Sequence, residues 1–102
     1  MTTYTAKRDP SRCPFHPGAV LTDILLDVHL PKTEIATMLG ISRQHLHDLL
    51  AERKPVSPNI AARIGKVFGG GATTWIQLQA AYDAWHAERD IDVSQFKSIL
   101  AA

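Results

Sequence analysis

The sequence has little of several features that would each indicate a particular class of protein. Cys13 is its only cysteine, so an intrachain disulfide is impossible and a disulfide-stabilised secreted fold is not expected. The first 13 residues contain no apolar stretch, and no later window approaches the roughly 18 apolar residues of a membrane span. Glycine and proline number six each, too few for a low-complexity chain. We therefore expect a cytoplasmic, globular protein without a membrane partner.

Arrangements typical of catalysis or metal binding are also missing from the sequence. No nucleophile stands beside a base at a recognisable spacing, so neither a catalytic residue nor an enzymatic activity is expected. His45 and His47 are two positions apart on a predicted helix and point away from each other, so they cannot share an ion. The other three histidines show no ligand spacing. We expect neither a metal site nor another cofactor.

The charge of the chain is nearly balanced, at +1, but it is unevenly distributed. Residues 1–66 hold nine lysines and arginines against six acidic residues, whereas residues 67–102 hold two against four. A basic front and an acidic back suit a protein whose N-terminal part contacts an anion.

Apolar residues recur at helical spacing from residue 17 almost to the end, and no run alternates as a half-buried strand would. Serine N-caps, prolines in first turns and glycines after last turns mark the helix boundaries. The pattern predicts helices over residues 17–28, 32–39, 43–51, 58–68 and 74–87, and a weaker one over 94–100. Thr74 and Gln77 are spaced for a capping box at the fifth helix. The predicted fold class is all-α.

The second and third predicted helices form the most informative motif. Its apolar and small residues follow the pattern Ile35-Ala36-x-x-Leu39-Gly40-Ile41, then Leu46-x-x-Leu49. Ala36 is small where two helices must cross closely, and Gly40 permits the positive φ of a tight turn. This spacing predicts a helix-turn-helix over about residues 32–51, with its second helix projecting outward.

The polar face of the projecting helix predicts double-stranded operator DNA as the partner. Arg43 and Gln44 open this helix, where arginine suits guanine edges and glutamine suits adenine edges, and His47 follows one turn later. The residues expected to hold phosphates are Lys32, Ser42, Arg53 and Lys54, with Arg63 as a further candidate. The alternative is a structural helix pair with a solvated polar face, but the full spacing together with Arg43-Gln44 favours DNA.

These observations divide the chain into three parts. Residues 1–14 are predicted to be a flexible N-terminal tail, residues 15–88 the helix-turn-helix DNA-binding domain, and residues 89–102 a C-terminal helical extension. The fifth predicted helix carries Trp75, Leu78, Tyr82 and Trp85 on one stripe. We expect Tyr82 and Trp85 to lie in a dimer interface, where aromatic anchors concentrate. For Trp75 and Leu78, an interface and the monomer core remain equal alternatives.

Three segments carry a family resemblance: residues 16–21 (HPGAVL), 33–54 (TEIATMLGISRQHLHDLLAERK) and 75–85 (WIQLQAAYDAW). In these segments the chain resembles HigA-type antitoxins, which belong with phage repressors and Xre-like regulators. The helix-turn-helix part is specific only to that superfamily, and the other two segments narrow the likeness to the HigA-like branch. The resemblance implies a lambda-repressor-like domain of five to six helices with a C-terminal helical extension. It also implies a homodimer that represses its own operon and a partner toxin, a RelE-like ribonuclease.

The chain departs from the pattern of these antitoxins at three places. Members commonly carry serine before the second helix, where this chain has Pro31, and Asn-Gly after the recognition helix, where it has Ala51-Glu52. If Glu52 adopts the left-handed conformation, the cost is on the order of 1 kcal/mol. Residues 70–73 read GGAT, where members often show Thr-Ser-Pro-Glu. These departures bear on operator affinity and local rigidity rather than on the fold.

Asp48 and Glu52 place carboxylates near the predicted DNA surface and so motivate an alternative function. The chain would then be a toxin-neutralising protein-interaction module with little DNA binding. A further alternative is a solitary Xre-type regulator without a toxin. A gel shift with its own promoter tests the first alternative, and a short basic reading frame beside the gene argues against the second.

Overall fold

A computed structural model describes residues 11–100, and this part of the chain contains five α-helices and no strand. The helices are α1 (Pro17–Leu25), α2 (Lys32–Leu39), α3 (Arg43–Leu50), α4 (Pro58–Phe68) and α5 (Gly71–Asp90), followed by a short 3-10 helix, Val93–Gln95. The all-α prediction is confirmed. Within residues 11–100, no helix combines the length and the apolar composition needed to cross a membrane. Most of the predicted tail, residues 1–14, lies outside the described residues.

Local capping explains where the central helices begin. The hydroxyls of Ser42 and Ser57 accept hydrogen bonds from backbone N–H groups three positions later, at 2.9 and 3.2 Å. Pro58 then occupies the first turn of α4, where a missing N–H costs nothing. α2 follows Pro31, which offers no side-chain cap, as the sequence predicts.

One hydrophobic cluster joins all five helices. Its buried members are Leu21, Ile35, Ala36, Leu39, Leu46, Leu49, Val56, Ile60, Ala61, Ile64 and Trp75. The indole N–H of Trp75 donates to the Gly69 carbonyl at 2.9 Å, so the buried ring keeps a polar partner. Leu78 packs against the cluster while remaining partly exposed. Trp75 and Leu78 therefore serve the core of the single chain.

Two glycines allow helix backbones to touch. A Cβ on Gly18 would lie 1.9 Å from the backbone oxygen of Leu49, so α1 meets α3 at that point without room for a methyl group. A Cβ on Gly65 would lie 2.3 Å from the carbonyl carbon of Gly71, at the junction of α4 and α5. The first of these contacts fixes α3 against α1.

The prediction that the first helix extends to Val28 is wrong. α1 ends at Leu25 because its last turn tightens: the N–H groups of residues 26–28 each bond to the carbonyl three positions earlier, at 3.1 to 3.2 Å. Val28 nevertheless packs against the core, as its place in the apolar stripe predicts.

The predicted start of the fifth helix is also wrong. Positive φ angles at residues 69–71 let the chain reverse directly into α5, which begins at Gly71 rather than Thr74 and ends at Asp90. The hydroxyl of Thr74 donates to the Gly70 carbonyl at 2.6 Å inside the first turn. The capping box with Gln77 is therefore not formed.

The predicted helix over residues 94–100 is replaced by the single 3-10 turn. Asp92 has a φ of 48°, which ends the regular helix path, and the Ser98 hydroxyl bonds locally to the Leu100 backbone. Phe96, Ile99 and Leu100 are exposed. An amphipathic segment this short does not hold a helix in water when its apolar face packs on nothing.

Candidate nucleic-acid interface

The turn between α2 and α3 is closed by a Schellman motif. Gly40 has a φ of 69°, and its N–H donates to the Thr37 carbonyl at 3.0 Å. The N–H of Ile41 donates to the Ala36 carbonyl, also at 3.0 Å. These are the two bonds that such a motif requires, and glycine adopts the left-handed position without a steric penalty. The turn predicted at Gly40 is therefore present.

Arg63 of α4 stabilises this turn through hydrogen bonds. Its Nη1 donates to the carbonyls of Leu39 and Gly40, each at 3.1 Å, and its Nε donates to the Asn59 side chain at 2.7 Å. The guanidinium thus compensates carbonyl oxygens at the negative C-terminal end of α2. Arg63 was a candidate phosphate contact; its Nη1 and Nε are engaged with the protein, and its contact with phosphate stays a prediction.

The outward face of α3 carries the residues predicted to read bases. Arg43, Gln44 and His47 are all exposed, whereas Leu46 and Leu49 are 1% and 0% exposed on the opposite face. The buried pair holds the helix to the core and leaves its N-terminal turns open to a ligand. Ser42, predicted to meet phosphate, caps this helix and is itself exposed.

Asp48 organises two of the predicted contacts. Its carboxylate accepts a hydrogen bond from the Gln44 amide at 3.0 Å, and the Arg53 guanidinium lies 3.8 Å from the same oxygen. Gln44 is thereby held along α3 with its carbonyl oxygen uninvolved in that bond. The spacing of four residues could have revealed the contact from the sequence, because glutamine and aspartate one turn apart pair on a helix.

Lys32 and His47 are brought together across α2 and α3. Both line a depression of about 360 Å³, whose other walls are mainly apolar side chains of α1 and α3. Lys32 also stands at the first position of α2, where the helix dipole favours an anion. The structure therefore places this lysine beside the predicted base-reading face.

A second Schellman motif ends α3, and Glu52 occupies its left-handed position with a φ of 63°. The N–H of Glu52 donates to the Leu49 carbonyl at 3.1 Å, and the N–H of Arg53 donates to the Asp48 carbonyl at 2.8 Å. The left-handed glutamate anticipated from the sequence is thus present, with the strain that an L side chain incurs there. Arg53 and Lys54 follow as exposed residues of the loop between α3 and α4.

His16 joins the start of α1 to that loop and to α5. Its Nδ1 accepts the Gly18 N–H at 2.9 Å, and the Tyr82 ring meets it edge-on at 4.9 Å between centroids. Burial lowers the pKa of His16, and this effect exceeds the opposing influences of the Glu52 and Asp83 carboxylates and of a backbone hydrogen bond at Lys54. The imidazole is therefore held neutral as an N-cap.

Acidification is expected to destabilise the fold through His16. The folded pKa lies below the unfolded value of about 6.5, so the stabilisation is complete above that value and is lost as the pH falls below it. Protonated Nδ1 can no longer accept the Gly18 N–H, which removes the cap. Urea unfolding of wild type and His16→Asn between pH 8 and 5 measures this, since asparagine caps without titrating. If the two free energies of unfolding change in parallel, His16 is not the responsible group.

Tyr82 and Trp85 lie on α5, away from the helix-turn-helix, and both are half-buried. Tyr82 packs between His16 and His86, whose ring centroid is 4.4 Å away, and the Arg89 guanidinium lies 3.7 Å above the Trp85 ring. Each ring is thus partly covered within the chain and partly open. Whether a second copy covers the rest remains a prediction.

Sequence reasoning missed the long-range polar contacts around the site. The cap at His16 had a local signal, because proline follows it in the first turn of a helix. The contacts of Arg63 with the turn and of α5 with the loop after α3 join residues more than 20 positions apart, and no periodicity reveals them.

Comparison with known proteins places the whole arrangement in context. No family model matches the chain. Virulence-associated protein I from Dichelobacter nodosus is 32% identical over 76 residues, which cover 74% of this chain and 70% of that protein. Uncharacterized HTH-type transcriptional regulator YbaQ from Escherichia coli is 29% identical over 85 residues, covering 82% of this chain and 75% of that protein.

Solved structures give a closely similar fold. A protein from Nostoc punctiforme, described as an antidote protein of a plasmid maintenance system, is 32% identical with a TM-score of 0.75; the match covers 81% of this chain and 91% of that one. Antitoxin HigA from Pseudomonas aeruginosa, solved with the higBA promoter, is 26% identical with a TM-score of 0.74, and the match covers 85% and 99% of the two chains.

Proposed function

This chain belongs to the HigA-type antitoxins of the Xre-like helix-turn-helix group, and we propose that it is a homodimeric repressor that binds the operator of its own operon. The observation that carries the proposal is the outward face of α3, where Arg43, Gln44 and His47 are exposed on a helix fixed to the core through Leu46 and Leu49. A helix so presented fits the major groove. The solved promoter complex of antitoxin HigA supports the same mode of binding.

We assign base reading to the exposed face of α3 and phosphate contact to its flanks. Arginine donates to guanine and glutamine pairs with adenine, so Arg43 and Gln44 read bases, with His47 beside them. The phosphate contacts are Lys32 and Ser42 at helix N-termini and Arg53 and Lys54 in the following loop. Asp48, one of the two residues that motivated a protein-interaction module, is engaged with Gln44 and Arg53.

Replacing Arg43 or Gln44 by alanine should each cost about 1–3 kcal/mol of operator affinity. Binding to random DNA should change less for Gln44→Ala, which removes no charge. Fluorescence titration of operator and random duplexes measures both. Gln77→Ala is a matched control, since Gln77 is exposed on α5, outside the proposed interface. Operator titrations in which both α3 variants match wild type would show that α3 does not read the groove.

The homodimer is supported by the apolar surface beyond α5. The exposed large apolar side chains of this segment are Ile91, Val93, Phe96, Ile99 and Leu100, and Ile99 is 98% exposed. Such a concentration on one short segment is typical of an interaction surface. We propose that it extends the Tyr82 and Trp85 face, so that the C-terminal part of each copy covers the other.

We propose that the toxin partner is a small ribonuclease of the RelE-like type, as the family resemblance implies. The acidic balance of residues 67–102 would suit a basic partner. Co-expression with the reading frame beside the gene, followed by pull-down and growth rescue, tests this directly. A neighbouring frame that neither binds nor arrests growth would leave a solitary regulator.

A further inference from the structure

The loop between α3 and α4 carries proposed DNA contacts that lie outside any helix. It carries Arg53 and Lys54, both exposed, and then Pro55 and Val56, of which Val56 is 4% exposed. The loop thus runs from the interface directly into the core. Whatever holds Val56 limits where the two basic side chains can be presented.

Gln79 of α5 holds Val56 through the backbone. Its Oε1 accepts the Val56 N–H at 2.7 Å, and its Nε2 donates to an Asp83 carboxylate oxygen at 2.9 Å. Gln79 is only 7% exposed. Burying an amide is costly unless its donor and acceptor are both engaged, and here they are. A glutamine thus occupies a core-facing position of α5 where an apolar residue would otherwise pack.

Pro55 limits how far Lys54 can move once the Val56 N–H is bonded to Gln79. The proline ring fixes its own φ and restricts Lys54 to extended conformations. Few dihedral angles therefore remain free between the anchored Val56 N–H and the Lys54 side chain. α5 thus restrains the loop directly, through the bond of Gln79 to the Val56 N–H.

We propose that Gln79 is a positioning residue for DNA binding, which fixes the loop so that Lys54 and Arg53 meet the phosphates. The inference rests on the proposed operator binding and deepens it. Gln79 and its partner Asp83 lie in the Trp-x-x-Leu-Gln-x-x-Tyr-Asp stretch, which the assignment of α3 and its flanks leaves without a role. Gln79 touches no DNA in this scheme and acts only through Val56.

The test compares the salt dependence of operator binding among variants of the full chain. Gln79→Met keeps the size of the side chain but removes the acceptor. Because a phosphate contact is then lost, the negative slope of log K against log salt should become shallower by about one unit. Lys54→Ala is the reference for the loss of one phosphate contact. In a Lys54→Ala, Arg53→Ala background, Gln79→Met should change the slope no further. A purely structural role would lower stability and leave the slope of the folded fraction unchanged.

Exchange of the two polar groups provides a rescue. Gln79→Glu alone sets two carboxylates against each other, whereas Gln79→Glu with Asp83→Asn restores an acceptor for Val56 and a donor to the new carboxylate. The double variant should regain the wild-type slope. If Gln79→Met does not fold by circular dichroism, Gln79→Asn, which is too short to reach Val56, takes its place. An unchanged slope in the folded variant overturns the inference, whereas failure of the wild type to bind its operator overturns the proposed function itself.

Discussion

Replacing Gly18 by alanine is expected to cost more than about 3 kcal/mol of folding free energy and to leave much of the chain unfolded. The added Cβ would lie 1.9 Å from the backbone oxygen of Leu49 and 3.0 Å from its carbonyl carbon. The Leu49 carbonyl is fixed at the end of α3, where it accepts the Glu52 N–H at 3.1 Å, so α1 and α3 must separate. Domains of this size have about 5–15 kcal/mol of stability in total. Urea denaturation followed by circular dichroism measures the loss.

Gly69→Ala is the matched control for this substitution. It adds the same methyl group where nothing lies within 4 Å, so its cost comes only from a φ of 98°. That cost should be about 1–3 kcal/mol, because a φ of 98° with a ψ of 171° is a conformation that essentially only glycine adopts. Equal destabilisation by the two alanines would mean that α1 and α3 do not meet as closely as the structure describes.

Disruption of the proposed dimer is expected to weaken operator binding by about 100-fold or more, because one helix-turn-helix would lose the avidity of two. A twofold dimer presents two recognition helices to successive major grooves. The operator should then be an imperfect palindrome with half-site centres about 10 base pairs, or roughly 34 Å, apart, or a multiple. Replacing Tyr82 and Trp85 together by glutamine should give a folded monomer.

A second variant separates the two apolar surfaces that could form this interface. Serine at positions 96, 99 and 100 removes Phe96, Ile99 and Leu100, which are all exposed, while the contacts of Tyr82 with His16 stay intact. Analytical ultracentrifugation and operator titration of both variants show which surface holds the copies together. The proposal fails if both variants remain dimeric, or if the wild type is already monomeric at micromolar concentration.

Local chemistry made much of the helix-turn-helix predictable. Gly40, Ser42 and Pro58 each satisfy or free particular backbone groups, so their positions alone locate the end of α2, the start of α3 and the start of α4. The left-handed Glu52 was raised only as a condition, because Ala51-Glu52 stands where the antitoxins that the chain resembles carry Asn-Gly. These signals act within a few residues and need no knowledge of the rest of the fold.

The sequence did not predict the structure correctly where contacts between distant residues determine it. Residues 94–100 have helical periodicity, yet Ile99 is 98% exposed and no α-helix forms there. Gln79 is a polar residue buried beside Trp75 and Leu78, and its burial depends on its bonds to Asp83 and to Val56, 23 positions earlier. The roles assigned to Arg43, Gln44 and His47 depend on bound DNA, so the fold shows only that these three side chains are accessible.

The two tryptophans give the protein a pair of separate fluorescent reporters. Trp75 is 2% exposed with its indole N–H bonded to Gly69, so its emission should lie to the blue and resist acrylamide quenching until α5 leaves the core. Trp85 is half-buried beneath the Arg89 guanidinium, so solvent relaxation and quenchers reach it in the folded chain. Emission from a Trp85→Phe variant would then follow unfolding, and emission from a Trp75→Phe variant would follow any partner that covers α5.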